Sequence, residues 1–191
     1  NAPVPVDGLR LWLDGSSVTQ DGDKVSAWGD RSHFGHDVNQ VDEALRPTLA
    51  AELVNGQAAV LFDGEDDMLT RGGVAGEALL SPNAVSVYAV VRQKWQSKMN
   101  TVLAWEAPNY KNHLALLMSY NNQFLIDYGN VSEGGRVSAA QPEGWDDAWH
   151  VLEFVRDGNQ GLVVVDSESV EMGDFGGELN VDVSGTLSVG A

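Results

Sequence analysis

The clearest regularity along the chain is an alternation of apolar and polar residues with a period of two. In Ala84-Val85-Ser86-Val87-Tyr88-Ala89-Val90-Val91-Arg92 it places Val85, Val87, Ala89 and Val91 on one face. Side chains of a strand alternate between its faces, and β-branched residues suit a pleated, half-buried surface, so this segment predicts a strand. The same pattern predicts strands over Leu9 to Leu13, Thr48 to Val54, Ala58 to Phe62, Thr101 to Trp105, Leu114 to Met118 and Phe124 to Tyr128. Further ones follow at Val151 to Arg156, Leu162 to Val165 and Thr186 to Val189. Turn residues lie between them: Asn55-Gly56 is a strong hairpin signal, Asn121-Asn122 follows another strand, and Asp157 to Gly161 separates two more. Only Gly73 to Leu80 is suited to a helical turn or two, closed by Pro82. Short strands with Gly and Asn turns and almost no helix predict one all-β sandwich or jelly roll. Its core should hold Val85, Val87, Ala89 and Val91, with Leu11, Leu13, Phe62 and Leu152 among their neighbours.

Composition narrows the partners. The 191 residues carry 28 Asp plus Glu against 11 Lys plus Arg, a formal net charge of −17. Nucleic-acid affinity rests on Lys and Arg displacing counterions from phosphates, so this surface excludes it, and an anionic membrane surface with it. At 43% hydrophobic with six Trp, the chain can bury a real core. There is no cysteine, hence no disulfide, thiol nucleophile or Cys-type zinc site. No apolar run approaches the roughly 18 residues of a membrane-spanning helix.

Several blocks then resemble one family. Gly8-Leu9-Arg10-Leu11-Trp12-Leu13-Asp14, Val25-Ser26-Ala27-Trp28-Gly29-Asp30-Arg31-Ser32 and Arg46-Pro47-Thr48 are similar to the opening blocks of bacterial LamG-like domains of the concanavalin A-like lectin/glucanase superfamily. The strongest is Asn55 to Leu69, with its Phe62-Asp63-Gly64-x-x-Asp67-x-Leu69 core, and Trp149-His150-Val151 with Gly161 to Asp166 resembles a later hairpin. Two departures stand out. Ser32-His33-Phe34-Gly35 replaces the family's Ser-Gly-x-Gly, and the family closes with one more strand after a segment like Leu187 to Ala191. The resemblance implies a concanavalin A-like jelly roll of two antiparallel sheets spanning residues 1–191. It also implies a binding module of secreted or surface proteins, non-catalytic in most cases, often glycan-specific, sometimes calcium-assisted, within a larger multidomain chain. Trp12, Trp28 and Trp149 lie in these blocks and are expected in the core.

Function has to be argued from sites. Glycoside hydrolysis needs two carboxylates across the scissile bond. The one comparable pattern is Asp166-x-Glu168-x-x-Glu171, and Asp166-Ser167-Glu168 reads better as a hairpin turn. No nucleophile motif and no lyase cluster is present, so a non-enzyme is expected, with a carbohydrate-active enzyme on the same fold as the alternative. Asp63-Gly64-Glu65-Asp66-Asp67 packs four carboxylates into five residues. Hard oxygens suit calcium, making Asp63, Glu65, Asp66 and Asp67 the candidate ligands; the competing reading is a tight turn capped by Asp63 and Asp66. Asp21-x-Asp23 lacks the rest of a calcium loop, and His33 and His36 are expected at the surface or in capping roles.

Sugars are held by aromatic faces and by polar groups that fix hydroxyls. Trp95, Trp105, Asn109, Tyr110, Asn121, Asn122, Tyr128, Trp145 and Asp146 form the candidate ligand set, with Trp95 and Trp145 in stretches polar enough to be loops. The expected activity is binding of an extracellular glycan, with a peptide or protein partner as second choice.

Overall fold

The computed structural model describes residues 7–75, 84–94, 99–106, 113–176 and 184–190. Two antiparallel sheets face each other. The smaller is built, in spatial order, from β14 (Glu168–Asp174), β13 (Gln160–Val165), β12 (Trp149–Asp157) and β7 (Ala84–Arg92). The larger runs β11 (Arg136–Ala140), β10 (Gln123–Gly129), β9 (His113–Tyr120), β8 (Asn100–Glu106), β15 (Ser184–Val189) and β6 (Leu69–Ala75). It continues through β3 (Val38–Asn39), β2 (Lys24–Asp30), β4 (Thr48–Val54) and β5 (Gln57–Leu61), with β1 (Leu13–Asp21) paired to β2. This is the all-β sandwich that the alternation predicts.

The alternation of β7 is realised along its whole length. Val85, Val87 and Val91 pack against the core, while Tyr88 and Val90 stand exposed on the other side. On β12, Leu152, Phe154 and Arg156 turn inward and are almost fully buried. The large sheet answers with Trp105, Leu116, Phe124, Ile126 and Tyr128. The sheets are joined by aromatic edges: Phe124 on β10 meets Phe154 on β12 at 6.4 Å between ring centroids, at 83°. Farther along the same two strands, the Arg156 guanidinium from β12 lies 4.2 Å over the Tyr128 ring from β10.

Turn chemistry sets the registers. Asn55 and Gly56 adopt φ 49° and 76°, and Asn121 and Asn122 adopt φ 53° and 60°. These left-handed pairs match the strand twist, which is why Asn and Gly occupy them. Expectation and structure part at several places, beginning with β2, β3, β6, β11 and β14, strands that the alternation does not predict. Residues 9–12 precede β1 without joining a ladder, and β1 instead continues to Asp21. Gly73 to Ala75 belong to β6 rather than to a helical turn, and 76–80 lie outside the described residues. Gly73, at φ 72°, is the extra residue where β6 slips against β15 between Gly185 and Thr186, a bulge that glycine accommodates without strain. Trp149 is not in the core: it lies on the side of β12 opposite Leu152, half-buried, with Arg92 5.7 Å from its ring centroid. Trp12 is likewise half-buried, beneath the Arg31 guanidinium, whereas Trp28 packs on the core and donates its indole N–H to Asp14 O.

Phe154 should therefore be indispensable and Val90 dispensable. Phe154→Ala is expected to lower the unfolding free energy by about 3–5 kcal/mol, as truncation of a buried aromatic does, and Val90→Ala by under ~1 kcal/mol. Urea denaturation checks both; equal losses would contradict the assigned faces.

Candidate functional site

The acidic turn between β5 and β6 is built around one carboxylate. Asp63 Oδ1 accepts the backbone N–H groups of Glu65 (2.8 Å), Asp66 (3.2 Å) and Asp67 (3.3 Å). Asp67 Oδ2 reciprocates by accepting the N–H of Asp63 at 3.0 Å. Both side chains thus cap the turn: Asp63 as the competing reading had it, but with Asp67, which is buried, in the place it gave to Asp66, whose side chain stands exposed. They also bring a third carboxylate with them, because oxygens of Asp63, Asp66 and Asp67 all lie within 4.8 Å of one another. Glu65 is not part of this convergence: the turn takes its backbone N–H, and its side chain stands exposed.

The electrostatics of the two capping groups diverge. The three N–H groups hold the Asp63 carboxyl below the usual carboxylate range. Asp67 is only 5% exposed, and burial pushes its carboxyl up, with the Asp63 and Asp66 charges adding to the rise; the Asp63 N–H and Lys24 act against it. A carboxylate buried beside two others is strained electrostatically, and a divalent cation relieves that strain. Three hard oxygens supply part of the shell of roughly 6–8 that calcium takes, with backbone carbonyls and solvent available for the rest. The donor set fits calcium.

Among the described residues, the aromatics expected in a platform are buried. Trp95, Asn109 and Tyr110 lie outside the described residues. Trp105 and Tyr128 are fully buried, and Trp145 is 4% exposed. Burial pushes the Tyr128 hydroxyl up to about 12, against the pull of the Arg156 guanidinium. Trp145 is a pin between the sheets. Its indole N–H donates to Gln93 Oε1 at 2.9 Å, its ring meets Phe124 edge-on at 4.7 Å, and the His150 imidazole stacks on it at 4.6 Å. The polar residues flanking Trp145 face water, but the indole itself turns inward to Gln93 just beyond β7, Phe124 on β10 and His150 on β12. Of the remaining candidates, Asn121 and Asn122 are exposed in the β9–β10 turn, and Asp146 is exposed beside Trp145. Tyr120, next to the turn, is 39% exposed.

Asp166, the first residue of the carboxylate pattern considered for hydrolysis, occupies the left-handed β13–β14 turn with Ser167. Its Oδ1 accepts the Val151 N–H at 2.8 Å and its Oδ2 lies 2.6 Å from His150 Nδ1. These two contacts hold its carboxyl below the ordinary range. The other ring nitrogen of His150, Nε2, faces Trp145 O at 3.2 Å. Both nitrogens are therefore engaged in fastening Trp145 and the turn. Glu168 is exposed at the start of β14. His36 departs from its expected surface role: it is 7% exposed, whereas His33 is exposed.

No protein-family model matches the sequence, and no curated protein matches it. Among solved structures, the mouse laminin alpha1 chain, domains LG4-5, is similar over 86% of this chain at 14% identity and a TM-score of 0.41. The aligned part spans 41% of that chain. The sandwich itself rests on the strand pairing described above. Among the described residues, no helix is long and apolar enough to cross a membrane.

If Trp145 is a pin and not a platform, its loss should be felt in folding. Trp145→Ala is expected to cost about 3–5 kcal/mol of stability, measured by urea denaturation. A variant as stable as the parent would return Trp145 to the surface.

Proposed function

We propose that this chain is a non-catalytic, calcium-assisted binding module of an extracellular or cell-surface protein, taking a carbohydrate ligand at its loops. The observation that carries the reading is the convergence of Asp63, Asp66 and Asp67 within 4.8 Å with Asp67 buried among them. Bound there, a calcium ion would neutralise the cluster and leave part of its shell open to hydroxyl oxygens, the groups a sugar presents. The turn is rigid before any ion arrives, because Asp63 and Asp67 already fix its backbone. Exposed Asn121, Asn122 and Asp146, with Trp95, Asn109 and Tyr110, are the candidate contacts for the rest of a glycan. A net charge of −17 steers the module away from nucleic acid and toward neutral or cationic ligands.

A second reading, a peptide or protein partner, is favoured by the outward side of the small sheet. There Tyr88, Val90 and Val151 are 68%, 58% and 53% exposed, with Val90 directly paired to Val151 across β7 and β12. A glycan array with and without calcium separates the two: calcium-dependent capture of a glycan supports the first, and an array blank under both conditions supports the second.

The ion itself is tested by thermal unfolding. A ligand that binds only the folded state at 100 times its Kd adds about 2.7 kcal/mol of stability. Millimolar calcium should raise the melting temperature and EDTA should reverse the rise. Asp66→Asn should abolish it while leaving the turn intact, since only the Asp66 N–H joins the backbone cap. The rise should also shrink as pH falls, because protons compete for Asp67, whose carboxyl lies above the usual range. Identical melting curves in calcium and EDTA would overturn the site.

A further inference from the structure

His36 stands in the loop between β2 and β3, and its burial has no role in the binding reading. The residue is 7% exposed, both ring nitrogens are buried, and neither Nδ1 nor Nε2 meets a protein hydrogen-bond partner among the described residues. Buried polar atoms are normally paired, so an imidazole left this way needs an explanation. The ring stacks on Phe34 at 5.8 Å and 7°, and Phe34 in turn carries the Arg10 guanidinium at 4.6 Å. The charged groups that act on it are Asp30 at the end of β2, Arg71 on β6 and Arg10 in the segment entering β1.

Asp30 is the link between this ring and the chain around it. Its Oδ1 accepts the N–H groups of Trp12 and Ser32, both at 2.8 Å. Its Oδ2 accepts the Ser32 hydroxyl at 2.6 Å and the His36 N–H at 2.8 Å. One carboxylate therefore ties the approach to β1, the end of β2 and the His36 loop together, and the Arg31 N–H to Trp12 O at 2.8 Å completes the clasp. With four donors already on its two oxygens, Asp30 has little capacity for a fifth. An imidazolium at position 36 has two ways to find acceptors. It can leave the core for water, or it can draw Asp30 away from Trp12 and Ser32. Either movement opens the clasp.

We propose that the His36 loop is an acid-released clasp on the segment that enters β1: closed while the buried ring is neutral, and opened by its protonation. Burial holds the ring's affinity for a proton below its ordinary value of 6.5, with Arg71 and Arg10 adding to the depression and Asp30 opposing it. The sign follows. Above 6.5 the ring is neutral whether the clasp is open or closed, and pH does not matter. Below 6.5 the open form takes up a proton that the closed form refuses, so the open-to-closed ratio rises, by about fivefold over the first pH unit and approaching tenfold per unit beyond it, until the closed form also titrates. Asp67 works in the opposite sense, since a carboxyl raised by folding favours the folded state as pH falls.

Amide hydrogen exchange resolved by residue, corrected for intrinsic rates, tests this at pH 6.5 and 5.5 in the full chain. Protection at Trp12, Ser32 and His36 should fall about fivefold between the two, while Leu152 and Phe154 on β12 keep theirs. His36→Phe, which fills the same space with a ring that does not titrate, should hold its protection at pH 5.5, and His33→Gln should behave as the parent. Unchanged protection in the parent, or an equal fall in His36→Phe, would overturn the clasp. Should His36→Phe not fold, the parent's own imidazole resonances decide. Titration below 6.5 together with shifts of the Trp12 and Ser32 amides supports the proposal; titration at or above 6.5, or without those shifts, overturns it.

Discussion

Phe124 occupies the point at which the two sheets meet, and much of the molecule's behaviour can be traced to that packing. Its ring presents edges to Trp145 at 4.7 Å and to Phe154 at 6.4 Å, both within the favourable range for aromatic pairs. Among the described residues no α-helix covers the sheets, and they bury their apolar faces against each other. The large aromatics of the second half of the chain are drawn into that gap: Trp105, Phe124, Tyr128, Trp145, Phe154 and Phe175 are all buried. A side chain used to hold sheets together cannot also offer a flat face to a ligand, so under the proposed binding function recognition falls to the rims.

At the rims, aspartate does two kinds of work with the same chemistry. Asp30 and Asp63 each gather several N–H donors and hold a turn, and both are kept below the usual carboxylate range by those donors, burial opposing the shift at Asp30 more than any single donor favours it. Asp30 lies beside a buried imidazole, and its turn is tied to the entry of β1. Asp63 lies beside two further carboxylates, so its turn could hold a cation. The difference is set by neighbours, and neighbours are what local sequence describes least well.

That distinction runs through everything the sequence revealed or concealed. β7 was legible from end to end because all of its positions alternate against a single core face. The Asn55-Gly56 hairpin was legible because the left-handed backbone it needs is a property of those two residues alone. The acidic turn was legible in part, since it falls within five consecutive residues: Asp63 was read as a cap, but the second cap is the buried Asp67 and not Asp66, and Glu65 stays outside the cluster. By contrast, β14 is an edge strand, most of β1 pairs only with β2, and their Ser, Gln, Asp and Glu residues face enough solvent to erase the alternation. Trp145 was misjudged because its polar sequence neighbours suggested water, while its burial is decided by Gln93, Phe124 and His150. His36 was misjudged likewise, its surroundings including Arg10 and Arg71 from distant segments.

The central claim is that a rigid aromatic core leaves ligand chemistry to the loops, with a cation at the acidic turn. Backbone amide resonances recorded during a calcium titration test it most directly. The account predicts saturable shifts confined to the Asp63–Asp67 turn and its neighbours Lys24 and Leu45, with the amides of Trp105, Phe124 and Phe154 unmoved. Absence of shifts, or shifts spread through the core strands while the turn stays still, would contradict it.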